Sequence, residues 1–133
     1  MIDLDRPIWS ALKGRQAQFA VGCARAVRFP CDVEPFIACR DESAASLAAM
    51  RALVPEDEEL ILLQATASSI PSGLVLTSEL PAVQMLANGF EACAVPFPIE
   101  PLVDADVPEM RALADLTKPG PFHSHTHQLG QFW

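Results

Sequence analysis

The chain has 133 residues, half of them hydrophobic and a fifth charged, a composition that is typical of one globular domain and excludes an intrinsically disordered chain. Its net charge of −8 argues against nucleic acid as a partner, because phosphate binding requires clustered lysine and arginine. No apolar run approaches the roughly 20 residues that span a bilayer, and the acidic residues 1–5 do not resemble a secretory signal. We therefore predict a cytoplasmic protein without a membrane partner, whose acidity suits a cationic substrate such as an amine.

The first part of the chain predicts a short helix followed by a β-hairpin. Residues 7–12 form the helix, which starts with a proline, as helices often do. Residues 16–21 and 24–29 alternate polar and apolar side chains over most of their length, as half-buried strands do, and a Gly-Cys pair lies between them. Residues 30–35 begin and end with proline and are predicted to be an irregular connector.

A capped helix and a buried strand are predicted next. Asp41 or Ser43 can cap the helix, and Pro55 ends its pattern. Apolar side chains recur between them at helical spacing: Leu47, Met50, Leu53 and Val54. Residues 58–63 are first charged and then wholly apolar, which is typical of a central buried strand.

A proline-rich stretch divides the chain. Residues 74–80 and 82–87 are two further strand candidates, separated by a proline. Residues 91–101 contain three prolines and are predicted to be a stiff, extended linker. The predicted organisation is therefore an amino-terminal α/β region over residues 1–95 and the start of a second unit over residues 96–133.

After the linker the pattern predicts one strand and one helix. Residues 99–103 form the short strand, and Asp104 or Asp106 caps the helix, with Asp106 and Glu109 resembling a capping box. Lys118 lies near the helix end, where a positive charge is favourable. The elements together predict an α/β fold of the α+β type, with a mixed, largely antiparallel sheet and two main helices.

Several kinds of site are excluded by the spacing of glycine and cysteine. The glycines stand at positions 14, 22, 73, 89, 120 and 130, so no two are closer than eight positions. This spacing excludes a Gly-rich phosphate loop. The four cysteines form no Cys-x-x-Cys pair, which favours free thiols that are mostly buried over a zinc ribbon.

All three histidines fall within five residues, at His123, His125 and His127. On an extended strand alternate side chains share one face, so the three imidazoles could converge on one metal ion. Two other interpretations stay open: a solvated polar loop, or one histidine acting as a proton acceptor.

The carboxyl-terminal third resembles a known family. Three segments carry the resemblance: IEPLVDADVPEM at 99–110, LADLTKPGPF at 113–122 and THQLGQF at 126–132. They are similar to the first strand, the first helix and the approach to the second strand of a GNAT-superfamily N-acetyltransferase. The similarity is greatest to a bacterial subgroup in which a Thr-x-Pro-Gly-Pro-Phe loop precedes a Thr-His-x-Leu-Gly-x-Phe segment. Residues 7–18 and 83–85 resemble the amino-terminal region of the same subgroup.

The resemblance implies transfer of an acetyl group from acetyl-CoA to a small amine. It also implies that the loop over residues 117–127 lines the acceptor side, which makes Thr126 and His127 the substrate-binding candidates; the alternative is a turn residue and a surface histidine. No catalytic residue follows from it. The family binds its cofactor at a turn of the type Arg/Gln-x-x-Gly-x-Gly/Ala, which this chain lacks, and the chain also departs from the subgroup at residues 123–125. We therefore expect an amino-terminal portion, truncated before the acetyl-CoA-binding motif, that is inactive alone and binds no cofactor tightly.

Two alternative functions remain at this stage. One is a non-catalytic protein-interaction module, because an unfinished sheet presents unpaired edge groups that invite a homodimer or another partner. The other is a small metal-binding protein that uses the histidine cluster.

Overall fold

The computed structural model describes residues 4–89, 91 and 94–133. Within these residues the helices are α1 (Pro7–Lys13), α2 (Ala44–Arg51) and α3 (Val107–Thr117). The strands are β1 (Val21–Gly22), β2 (Ala26–Arg28), β3 (Phe36–Cys39) and β4 (Ile61–Leu62). Short 3-10 turns lie at Ala17–Phe19, Asp104–Asp106 and Thr126–Leu129.

The strands form one sheet in the order β1-β2-β3-β4. The first two pairings are antiparallel, and β3 pairs with β4 in parallel through the crossover helix α2. The predicted mixed, largely antiparallel α/β fold is therefore confirmed.

The hairpin of β1 and β2 is confirmed, but its strands are shorter than predicted. Residues 17–19 form a 3-10 turn instead of a strand, because backbone amides after α1 bond back to Ala11 and Gly14. Gly22 pairs with Val27 at a φ of +139°, and a Cβ at this position would lie 2.3 Å from the Ala26 carbonyl oxygen. Only glycine fits this close approach.

The sheet interior differs most from the sequence prediction. β3, which the sequence analysis did not assign, is an inner strand of the sheet, while β4 lies at its edge with Ile61 41% exposed. The prediction that residues 58–63 form a central strand is therefore wrong. A continuous apolar run is typical of a buried strand, but it does not determine which strand pairs on both sides.

Helices α1 and α2 cover opposite faces of the sheet. In β2, Val27 packs with Leu12 of α1, while its neighbour Ala26 packs with Met50 of α2. On β3, Ala38 packs on the α1 side, whereas its neighbours Ile37 and Cys39 pack on the α2 side. Successive side chains of a strand point to opposite faces, so both faces of these inner strands are buried.

The predicted amino-terminal cap of α2 is confirmed. Ser43 is the cap, and its hydroxyl accepts a hydrogen bond from the Ser46 amide at 3.3 Å. Asp41 in turn accepts hydrogen bonds from the Ser43 hydroxyl and the Ser43 amide. Side-chain hydrogen bonds from Ser43 and Ser46 and the amide of Ser43 lower the pKa of Asp41 to about 2.

No strand forms over residues 74–80, 82–87 or 99–103 in the described part of the chain, so these three predictions are wrong. The apolar side chains here are exposed, with Val75 and Leu80 each 85% accessible. A strand requires a hydrogen-bonded neighbour. In residues 99–103 the Leu102 amide donates to the Phe132 carbonyl oxygen at 2.9 Å, but no ladder forms among the described residues.

Helix α3 begins differently from its sequence signals but ends where they predict. Its predicted capping box is wrong: the Asp106 carboxylate accepts from the Val103 amide at 2.8 Å, and no side chain caps the first residue of α3. Lys118 lies at the helix end as predicted, in the left-handed conformation with φ of 48°. In the part of the chain that the structure describes, no helix is long and apolar enough to cross a membrane.

Candidate functional site

The segment that follows α3 folds back onto the loop between β2 and β3. Thr126 joins the two, since its hydroxyl donates to the Val33 carbonyl oxygen at 2.6 Å and accepts from the His123 amide at 2.7 Å. Thr126 is only 4% exposed. This arrangement matches the turn-residue alternative of the sequence analysis, and a direct contact between Thr126 and substrate stays a prediction.

The three histidines occupy different surroundings. The His125 amide donates to the Asp32 carbonyl oxygen, and the His125 Nδ1 lies 2.9 Å from the Asp32 carboxylate at the surface. His123 lies near enough to Glu34 to influence its charge. His127 lines a small cavity of about 120 Å³ beside the start of α3, together with Asp104 and Phe132.

His127 carries a buried ring nitrogen, Nδ1, that has no hydrogen-bond partner in the described part of the chain. Such an atom costs free energy unless a ligand or water satisfies it. Of the two residues that the resemblance selected, His127 is therefore the one with unused hydrogen-bonding capacity at a cavity.

The histidines do not lie on the extended strand that the metal hypothesis assumed, because residues 126–129 form a 3-10 turn. The rings of His125 and His127 lie 6.2 Å apart between centroids. Among the described residues, no group of three or more His, Cys, Asp or Glu side chains is arranged to hold a metal ion. The metal hypothesis for His123, His125 and His127 stays a prediction that the geometry does not support.

An open groove of about 390 Å³ lies beside this turn. Its walls come from α1, the loop between β2 and β3, the first residue of β3, the Pro-Gly-Pro loop after α3 and the final 3-10 turn. The apolar wall residues are Ile8, Phe29, Phe36, Pro119, Pro121 and Leu129. The polar side chains that line the groove are Gln16 and Glu34.

Glu34 is the ionisable residue of the groove, and it is only 7% exposed. Its amide bonds to the Pro30 carbonyl oxygen at 3.1 Å, which fixes the connector that carries it. Burial raises the pKa of the Glu34 carboxyl, against opposing effects of the Thr126 hydroxyl and the nearby His123. Removal from water disfavours the charged form of a carboxylate.

Sequence reasoning missed Glu34 because it lies in the segment that was predicted to be an irregular connector. A signal was present: a single acidic residue stands between Val33 and the apolar run that begins at Phe36. A carboxylate among residues that become buried is a candidate functional group, because burial of a charge costs free energy.

Gln16 holds the carboxyl-terminal segment against α1. Its amide nitrogen donates to the Leu129 carbonyl oxygen at 3.4 Å, and Leu129 packs on the core that contains Leu12 and Phe29. The hydrogen-bonding groups of Gln16 that remain are its amide oxygen, which is an acceptor, and the second hydrogen of its amide nitrogen, which is a donor.

Cysteine chemistry does not contribute to the groove. The three described cysteines are free, with Cys39 buried, Cys31 half-buried and Cys23 exposed. Burial raises the pKa of the Cys31 and Cys39 thiols. Cys93, the fourth, lies outside the described residues.

Comparisons with known proteins connect this geometry to a family. No family model matches the sequence, and no curated protein matches it significantly. Among solved structures, the chain is similar to a candidate acetyltransferase of the GNAT family from Novosphingobium aromaticivorans, with 30% sequence identity and a TM-score of 0.75. The match covers 98% of this chain and 58% of that protein. The resemblance to the GNAT superfamily is therefore confirmed, and the chain has a GNAT-like fold over almost its whole length.

Proposed function

We propose that this chain forms the amino-terminal portion of a GNAT-type N-acetyltransferase, which transfers an acetyl group from acetyl-CoA to a small amine. The observation that carries the proposal is the TM-score of 0.75 over 98% of the chain at 30% identity. An identity of this size over the same fold supports a common origin, whereas the fold by itself would not support a shared function.

Acetyl-CoA binding requires a cradle for the cofactor diphosphate, which helix amino termini with glycine-rich turns supply. The described residues do not fit this group. Helix α2 is preceded by Asp41 and Glu42, and α3 is preceded by Asp104 and Asp106 with Glu109 in its first turn. Carboxylates at these positions repel phosphate. We therefore propose that the isolated chain binds acetyl-CoA weakly or not at all and is inactive alone.

The contribution of this chain to acetyl transfer would lie on the acceptor side. His127 lines the small cavity beside α3, and its buried ring nitrogen Nδ1 has no partner among the described residues. An imidazole can accept a proton from an amine. Thr126 supports His127 indirectly, because it anchors the turn on the Val33 carbonyl. We thus propose that His127 contacts the substrate and that Thr126 positions His127.

A chimera tests the proposal. Residues 2–133 replace the matching part of the Novosphingobium protein, and the release of the CoA thiol is measured with acetyl-CoA and a panel of amines. Activity that depends on His127 in the chimera, and is lost in the His127→Ala variant, supports the proposed role. A folded chimera that binds acetyl-CoA but acetylates none of the amines accepted by the parent protein contradicts it.

The isolated chain provides the second arm of the test. Isothermal titration with acetyl-CoA is expected to give no saturable signal in the micromolar range. Saturable micromolar binding by this chain would overturn the proposal that it is inactive alone, while leaving the family relationship intact.

A second candidate function is a protein-interaction module, and one observation favours it. Large apolar side chains are strongly exposed along one segment: Val75, Leu80, Val83, Met85 and Leu86, each at least 73% accessible. Exposed apolar surface of this kind marks interaction sites. Association with a second copy of this chain is the form we propose; light scattering after size exclusion should show a dimer, and a strict monomer at high concentration would contradict it.

A further inference from the structure

Helix α3 carries apolar side chains on two opposite sides. On the inner side, Val107, Met110 and Ala114 are half-buried. On the outer side, Leu113 and Leu116 are 61% and 81% exposed, and we call this pair the outer stripe. A helix that is apolar on both sides is typically covered on both sides, whereas the described part of this chain covers only the inner side.

The helix also receives little stabilisation from the rest of the described chain. Neither apolar cluster of the described core contains a residue of α3, and no residue of the helix is fully buried. Its 11 residues are fewer than the roughly 12–15 at which an isolated helix becomes even marginally stable in water. A helix of this kind depends on packing against a neighbour, which points to a further layer on the outer stripe.

The length of the related protein indicates what that layer is. The match covers 98% of this chain but 58% of the candidate acetyltransferase from Novosphingobium, so more than two fifths of that protein has no counterpart here. Helices and strands in a portion of that size have apolar faces, which are stable only when they pack against another layer of the fold. The outer stripe is a surface that such a layer can cover.

The charge beside the stripe adds to the description of the partner. Glu109 is exposed in the first turn of α3, next to the outer stripe along the helix. A complementary surface therefore presents apolar side chains to the two leucines and a basic side chain to Glu109.

We propose that the outer stripe of α3 is the docking surface for the carboxyl-terminal portion of an acetyltransferase fold, with apolar side chains opposite Leu113 and Leu116. The inference rests on the proposed function, because it takes the partner from the same family. It concerns packing and not chemistry, so its test measures stability and not acetyl transfer.

The test compares the full chain with the chimera described above, each with and without Leu116→Glu. In the full chain Leu116 is 81% exposed, so Tm should change by less than about 2 °C. In the chimera the substitution would bury an unpaired charge, and we expect Tm to fall by at least about 6 °C. The milder Leu116→Ala should lower the Tm of the chimera by at least about 4 °C and that of the full chain by less than about 2 °C.

The control is Ala48→Glu, which places the same charge at an exposed position of α2 and should be tolerated in both proteins. A Leu116→Glu chimera that does not fold, beside an Ala48→Glu chimera that does, would support the proposal, and Leu116→Ala then measures the effect. Equal losses of Tm in the full chain and the chimera, or a chimera that tolerates both substitutions of Leu116, would overturn it.

Light scattering tests a second copy of this chain as the occupant. A dimer of the full chain that Leu116→Glu converts to a monomer would show that a second copy covers the stripe, and the proposal would then be wrong.

Acetyl transfer by the chimera separates this inference from the proposed function. A chimera that acetylates amines but tolerates Leu116→Glu would overturn this inference alone. A folded chimera that is sensitive at Leu116 but transfers no acetyl group would support this inference and contradict only the proposed function. An unaltered chimera that does not fold would contradict both.

Discussion

The hydroxyl of Thr126 donates a hydrogen bond to the carbonyl oxygen of Val33, and so joins two residues 93 positions apart in the chain. The same hydroxyl accepts from the His123 amide. One side chain thus holds the turn that carries the histidines against the loop that carries Glu34. The groove and the histidine turn depend on this contact for their relative position.

Replacement of Thr126 by valine preserves its shape but removes the hydroxyl. We expect the free energy of unfolding to fall by about 1–3 kcal/mol, because the buried Val33 carbonyl and the His123 amide lose their partner. Denaturant unfolding measures this. The matched control is Thr117→Val, which removes an exposed hydroxyl that bonds to the Leu113 carbonyl of its own helix and should cost less than about 0.5 kcal/mol. Equal effects of the two substitutions would show that the hydrogen bond to Val33 does not stabilise the fold more than an exposed hydrogen bond does.

The raised pKa of Glu34 predicts a specific pH dependence of stability. Between the ordinary value near 4.5 and its raised value, the folded chain binds more protons at Glu34 than the unfolded chain does. Stability contributed by this residue must therefore fall as pH rises through that window. The Glu34→Gln variant should be more stable than the unaltered chain at pH 7, with the difference disappearing near pH 4.

Thermal unfolding at a series of pH values measures this difference. Subtraction of the two curves removes the contributions that the two proteins share. A Glu34→Gln variant that is less stable at pH 7 by the same amount at every pH would show that the carboxylate is ionised at no cost.

The lowered pKa of Asp41, about 2 against an ordinary 3.8, predicts the opposite trend. A depressed pKa contributes stability that is present above the ordinary value and is lost as pH falls toward the folded value. The Asp41→Asn variant should therefore be less stable than the unaltered chain at pH 7, and the difference should shrink as pH falls below 3.8 and vanish only below about pH 2. Asp115→Asn, an exposed position on α3, is the control and should show a much smaller loss over the same range. Parallel pH curves for the Asp41→Asn variant and the unaltered chain would contradict the prediction.

Gly22 is the glycine whose substitution should cost most. An alanine there meets the Ala26 carbonyl oxygen at 2.3 Å and has an unfavourable φ of +139°. We expect a loss of about 2 kcal/mol or more, since strained backbone and steric clash each cost of order 1–3 kcal/mol. Gly130→Ala, where φ is 175° and no atom lies within 4 Å of the new Cβ, should be nearly neutral. Chemical denaturation compares them, and a neutral Gly22→Ala variant would show that the hairpin has another stable conformation.

Local signals in the sequence determined several elements. Ser43 caps α2, Lys118 lies at the end of α3, and Pro7 starts α1, as predicted. Each of these depends on interactions within a few residues, namely the free amides and carbonyls of a helix end and the fixed φ of proline. The short family motifs in the last third also sufficed for the GNAT resemblance.

The position of each strand in the sheet was decided only by the tertiary structure. β3 is an inner strand and β4 an edge strand, although residues 58–63 hold the more continuous apolar run. Likewise, Glu34 became buried and Thr126 became an anchor because segments far apart in the chain meet there. Sequence patterns record how a residue relates to its near neighbours. The burial of a carboxylate and the pairing of a strand depend on contacts across the whole fold, and those contacts formed the groove.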